Sequence, residues 1–101
     1  MAYERIMGLN VIDEAEYQKY RAGMEPILNS MGGAFGFDFR VSEVLRSKSA
    51  DPINRVFTID FPSEEVMNQF FSHPDYLILK EQYLDHAVSS RTIISMHKKS
   101  D

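Results

Sequence analysis

Tyr20, Tyr76, Tyr83 and His86 are the side chains whose types and spacing best suit chemistry on a small molecule. Tyr76 and Tyr83 lie two helical turns apart and His86 follows Tyr83 by three positions, so one helix face can carry all three. Tyr20 belongs to the apolar stripe of an earlier helix. Rings with polar tips on inward faces make an apolar wall with a few hydrogen-bonding groups, the usual lining of a ligand cavity. The alternative is four amphipathic side chains at the edge of a filled core, with their tips in water. His86, if buried, has the pKa range of a general base near neutral pH. Phe39 adds an aromatic wall from a strand. Arg40 is the nearest cation along the chain, but strand parity places it on the opposite side of the sheet. His73, ahead of Pro74, stands either at a pocket mouth or as a helix cap. Arg40 and His73 are therefore second-choice members of the site.

Other groupings carry less. Asp38, Arg40 and Asp60 share a parity, which suggests either an ion-pair cluster between subunits or an anion site. His73, His86 and His97 have no pair at helical or strand ligand spacing, and the chain has no cysteine. No metal site, disulfide, haem ligand or other cofactor is expected. Glu64 and Glu65 are adjacent on a helix and do not face each other, so they are a charged first turn and not an acid–base pair. The stretch Ala34-Phe35-Gly36-Phe37-Asp38-Phe39-Arg40 resembles the aromatic strand on which RNA-recognition domains stack bases. It lacks that strand's leading basic-Gly pair and final aromatic, and it falls in the second strand of the chain.

The elements that must position these residues are legible from periodicity. Met7, Leu9 and Val11 alternate with Ile6, Gly8 and Asn10 as a strand. Asp13 to Glu16 reads as a capping box with Asp at its head. A helix over 13–31 follows, with Tyr17, Tyr20, Met24, Ile27, Leu28 and Met31 on its stripe, and Pro26 predicts a kink or break near Gly23 to Glu25. Gly32-Gly33 supplies a left-handed cap. The second strand is expected over Ala34 to Leu45, with Phe35, Phe37, Phe39 and Val41 on one face. A polar turn from Arg46 to Asn54 leads to the strand Arg55–Phe61. Pro62-Ser63 stops that strand, and helix follows over 63–87, broken near Ser72 to Pro74. Val88 to His97 is the last strand.

The order β-α-β-β-α-β predicts an α+β, ferredoxin-like fold: one four-stranded antiparallel sheet with both helices on one face. At 101 residues the chain makes one domain, 1–101. The other sheet face carries Ile6, Gly8, Ala34, Gly36, Val56 and Thr58, smaller and less charged than a solvated face normally is. A second copy packed there, a homodimer closed through the sheet face, is the expected partner. A net charge of −4 argues against nucleic acid and anionic membranes as partners. No apolar run approaches the roughly 20 residues of a membrane span. The N-terminal residues lack the layout of a signal peptide, so the cytoplasm is the expected compartment.

The combination Tyr17-x-x-Tyr20, Gly32-Gly33, Glu43-Val44-Leu45, Phe61-Pro62-Ser63-x-Glu65 and Phe70-x-x-x-Pro74-x-Tyr76 resembles the domain-of-unknown-function family 1330. That family belongs to the dimeric α+β-barrel superfamily. The resemblance implies a homodimer whose two sheets face each other, and no agreed activity. The chain departs from the family pattern at Asp38-Phe39-Arg40, Arg46-Ser47, His73 and Tyr83. Two function classes remain: a small-molecule-binding or regulatory dimer, and a cofactor-independent monooxygenase or isomerase acting on a small aromatic or polar metabolite. His86 inside a cavity would favour the enzyme.

Overall fold

Alternating apolar residues build the sheet that carries everything else. In a computed structural model, which describes residues 2–99, β1 (Tyr3–Val11) lies between β3 (Arg55–Phe61) and β4 (Val88–Lys98), and β2 (Ala34–Arg40) closes the other edge. The order is β2-β3-β1-β4 with every neighbour antiparallel. Met7 pairs with Phe57 and Arg5 with Ile59, so the odd residues of β1 and β3 share the face covered by helices. Tyr3, Met7, Leu9, Val11, Phe57, Ile59 and Phe61 are buried there. The four-stranded antiparallel sheet with helices on one side is the ferredoxin-like α+β fold.

The helices start where capping chemistry places them. Helix α1 (Glu14–Ser30) begins at Asp13, whose carboxylate accepts the Glu16 amide at 3.1 Å. The reciprocal arm of a capping box is absent: the Asp13 amide donates to the Ala87 carbonyl at 3.2 Å. Pro26 does not interrupt the helix, contrary to the sequence expectation, and α1 runs unbroken through it. Burial of Tyr17, Tyr20, Met24 and Leu28 along one stripe outweighs the single amide that proline removes. Gly32 ends the helix at φ +85°, a left-handed conformation with little cost for glycine.

Helix α2 (Glu64–Ser72) is capped by Ser63, and α3 (Pro74–Leu79) by His73, whose Nδ1 accepts the Asp75 amide at 3.1 Å. A π-helical segment, Lys80–Leu84, and a short turn of helix, α4 (Asp85–Ala87), lead into β4. Met67, Phe70, Tyr76, Leu84 and Ala87 complete the core against α1 and the sheet.

Strand β2 departs from the expected one. It ends at Arg40, and residues 41–54 are irregular. Serine side chains capture backbone amides there, Ser47 that of Ser49 and Ser49 that of Asp51, each at 3.0 Å. The pairing with β3 slips between Phe35 and Asp38, so that Gly36 and Phe37 both stand opposite Thr58. This is a β-bulge, held by the Phe37 amide donating to Thr58 Oγ1 at 2.8 Å. Beyond it the alternation inverts. Phe39 pairs with Val56 on the outer face, and Asp38 and Arg40 turn toward the helices. The expected single face for Phe35, Phe37 and Phe39 is therefore wrong, as is the shared face of Asp38, Arg40 and Asp60. Asp60 alone remains outside, 3.2 Å from Lys99.

Candidate functional site

A cavity of about 230 Å³ lies between the sheet and the helices. Met7 and Leu9 of β1 and Phe57 and Ile59 of β3 form its floor. Helix α1 contributes Tyr20, Arg21 and Met24, and α3 contributes Tyr76 and Leu77. Phe35 and Phe71 add aromatic rings, and Arg5, Lys80, Leu84 and Arg91 complete the wall. An apolar hole of roughly 150 Å³ accepts benzene, so this one holds a single substituted ring.

Its polar groups are few and specific. The Tyr20 and Tyr76 hydroxyls are hydrogen-bonded to each other at 2.9 Å. Burial pushes the Tyr20 phenol well above its usual pKa, and burial raises that of Tyr76 as well. Both are neutral near pH 7. Of their two hydroxyl hydrogens, one is used within the pair, which leaves one to donate to a guest. The Arg5 guanidinium sits 4.4 Å from the Phe71 ring centroid, and its Nε donates to the Met7 sulfur at 3.1 Å. Burial lowers its pKa, although an arginine stays charged throughout.

Arg21 lies 3.8 Å over the Phe35 ring, donates from Nε to the Tyr17 hydroxyl at 2.9 Å, and pairs with Asp38 at 3.1 Å. Lys80 and Arg91 both bind Asp85, which lies outside the lining.

Behind this wall a charged cluster fixes β2 to α1. Arg55 is buried and grips Asp38 with two hydrogen bonds of 2.7 and 2.8 Å, while Glu14 lies 3.7 Å from both Arg55 and Arg40. The Arg55 hydrogen bonds hold the Asp38 carboxyl below the usual carboxylate range. On the outer sheet face His97 bridges Glu4 at 3.0 Å and Ser95 at 2.6 Å. Phe37 and Phe39 stack there at 5.8 Å between centroids, 64% and 56% exposed.

Of the residues the sequence proposed, Tyr20 and Tyr76 meet at the cavity. Phe39 is on the far side of the sheet, Tyr83 packs at the core edge outside the lining, and His86 is exposed. Arg40 is on the helix side, contrary to its expected parity, but in the cluster with Glu14 and not at the cavity. His73 caps α3.

The π-helical segment explains the misplacement of Tyr83 and His86. A regular helix already sets Lys80 beside Tyr76; the wider turn that follows keeps Leu84 on the same cavity-facing side and rotates Tyr83 and His86 away. Arg5, Arg21 and Arg91 escaped the sequence reading, and Lys80, one turn after Tyr76, was not assigned to the site. Arg5 has the inward parity of Met7 and Leu9, the one available signal. Among the described residues no group of three or more His, Asp or Glu is placed to hold a metal ion, and no helix is long and apolar enough to cross a membrane.

The family model described as "Domain of unknown function (DUF1330)" matches residues 2–96. No curated protein matches the chain. A protein of unknown function from Rhodopseudomonas palustris superposes with a TM-score of 0.83 at 14% identity, over 99% of this chain and 83% of that one. A dimeric ferredoxin-like protein of unknown function from Thermobifida fusca gives 0.63 at 12% identity, over 98% and 92%. A Nitrosomonas europaea protein named "Putative antibiotic biosynthesis monooxygenase" gives 0.64 at 14% identity, over 97% and 89%. At these identities the likenesses establish the ferredoxin-like fold.

Proposed function

The chain belongs to the DUF1330 family, a domain of unknown function, and from its geometry we propose that it is a homodimeric domain that binds one small, largely apolar molecule between sheet and helices. The observation that carries this reading is the Tyr20–Tyr76 hydroxyl pair at 2.9 Å on the wall of a cavity with room for a ring. Two buried phenols satisfy each other only in part, and the remaining donor and lone pairs suit a guest.

Binding is favoured over catalysis by the protonation states on that wall. Both tyrosines are neutral, the arginines and the lysine are cationic, and His86 lies in solvent, so no lining group takes up a proton near neutral pH. The monooxygenase reading rests on the names of neighbours at 13% and 14% identity and has no base in the cavity to support it.

Support for the homodimer comes from the outer sheet face. Phe37 and Phe39 lie open beside Ile6, Gly8 and Val56, and the Thermobifida neighbour is described as dimeric. Native mass spectrometry with a library of one-ring compounds tests the cavity, using Leu77→Trp as a control. Leu77 is 45% exposed at the rim, so a larger ring there obstructs the cavity without disturbing the core. Binding to the wild type that Leu77→Trp abolishes supports the reading. A filled cavity that takes no ring, or binding indifferent to Leu77→Trp, refutes it.

A further inference from the structure

Four cations and no carboxylate line the cavity, in a chain whose net charge is −4. Arg21 shares the Asp38 carboxylate with Arg55, and Lys80 and Arg91 share the single carboxylate of Asp85, which leaves the rim with one positive charge in excess. Arg5 differs from the other three. Among the described residues no acidic side chain pairs with it, and its contacts are a sulfur and an aromatic face. A guanidinium half withdrawn from water against Met7 and Phe71 loses hydration without a compensating anion. An apolar side chain at this inward position of β1 would pack there at less cost. Arg5 therefore brings a positive charge to the cavity wall with no anionic partner beside it among the described residues.

We infer that the ligand is an organic monoanion, one ring or a branched chain of similar size bearing a single carboxylate, with that carboxylate on Arg5 and beside the Tyr20–Tyr76 hydroxyls. The inference rests on the proposed cavity and adds the ligand's class to it. The body of the ligand lies over Met7, Leu9, Phe57 and Ile59, where only apolar contact is on offer. Its carboxylate accepts charge-assisted bonds from the Arg5 fork and one from the free tyrosine hydroxyl. Lys80 and Arg91 at the rim draw anions in, and Asp85 keeps them from overcharging the empty site. No covalent step is involved.

The test is titration calorimetry of the full chain with benzoate, benzyl alcohol and benzylamine, which share a ring and differ in charge. Benzoate is expected to bind roughly tenfold or more tighter than benzyl alcohol, the gain typical of a hydrogen-bonded charge, and benzylamine weakest of the three. Arg5→Gln is expected to bring benzoate down to the level of benzyl alcohol while leaving benzyl alcohol unchanged, which a general structural defect would not do. If Arg5→Gln fails to fold, the exposed Arg91→Gln replaces it, with an expected loss of roughly threefold for benzoate alone. Equal affinities for benzoate and benzyl alcohol in the wild type, or a preference that survives Arg5→Gln, overturn the anion inference and leave the cavity reading standing. If none of the three rings binds, the cavity reading itself fails and takes this inference with it.

Discussion

Replacing Phe39 by Glu separates the proposed dimer from the fold of the protomer. Phe39 is 56% exposed in the single chain and stacks only on Phe37, itself 64% exposed. A phenylalanine buries roughly 200 Å² when fully covered, so closing a second sheet over Phe39 removes about 110 Å² from water. At about 25 cal/mol per Å² this is about 3 kcal/mol for each copy, and two-fold symmetry doubles it to about 6 kcal/mol. The figure is an upper bound, because association also orders side chains. Association should weaken by up to about four orders of magnitude. The protomer should keep its stability to within about 0.5 kcal/mol, as an exposed substitution does. Sedimentation velocity gives the first quantity and urea unfolding at low protein concentration the second.

Thr58→Lys, an obvious choice from strand parity, does not make this separation. Thr58 is 8% exposed within one chain and accepts the Phe37 amide, so a lysine there breaks the bulge as well as any interface. If Phe39→Glu sediments as an unchanged dimer, the interface lies elsewhere. If it unfolds the protomer, the exposure of the ring has been misjudged.

The tyrosine pair and the charged cluster make two further tests. Tyr20→Phe or Tyr76→Phe alone should cost about 1–2 kcal/mol in urea unfolding, since each leaves its partner's buried hydroxyl unpaired, and the double variant should cost little more than either single one; additive losses would mean that the hydroxyls do not interact. Asp38→Asn should cost about 2 kcal/mol at neutral pH, because Arg55 would keep Glu14, at 3.7 Å, as its one carboxylate partner, a figure held down by the 30% exposure of the Asp38 side chain. Arg55 depresses the folded-state pKa of Asp38, so its contribution is fully present above the unfolded value of about 3.9 and is lost as pH falls through the folded value. The gap between wild type and Asp38→Asn should therefore narrow below about pH 4, and a gap independent of pH would contradict the pairing.

The elements were legible because local signals agreed with one another. Phe57, Ile59 and Phe61 alternate, Tyr17, Tyr20, Met24 and Leu28 recur at helical spacing, and all are buried as that spacing requires. Asp13, Ser63 and His73 each cap the helix they precede. The site was less legible, for two physical reasons. A strict two-residue period carries Phe35 through Arg40 on fixed faces, whereas one bulge exchanges the faces of Asp38, Phe39 and Arg40. Gly36, inside the strand, was the only hint of it. A 3.6-residue period likewise puts Tyr83 on the face of Tyr76 and Lys80, whereas the π-helical segment turns Leu84 to the cavity in its place. Both features arise from tertiary packing, which periodicity does not register. The helix through Pro26 is a third instance, where buried area outweighs a local breaker.

The chain contains its own reporters for the cavity. The methionines Met7 and Met24 line it, while Met67, equally buried on α2, does not. With 13C-methyl methionine labelling, titration with a one-ring carboxylate should shift the Met7 and Met24 methyl resonances together, with a single affinity, and leave Met67 in place. Shifts confined to methyls outside the cavity, or none at saturating ligand, would contradict the claim that a small molecule binds between sheet and helices.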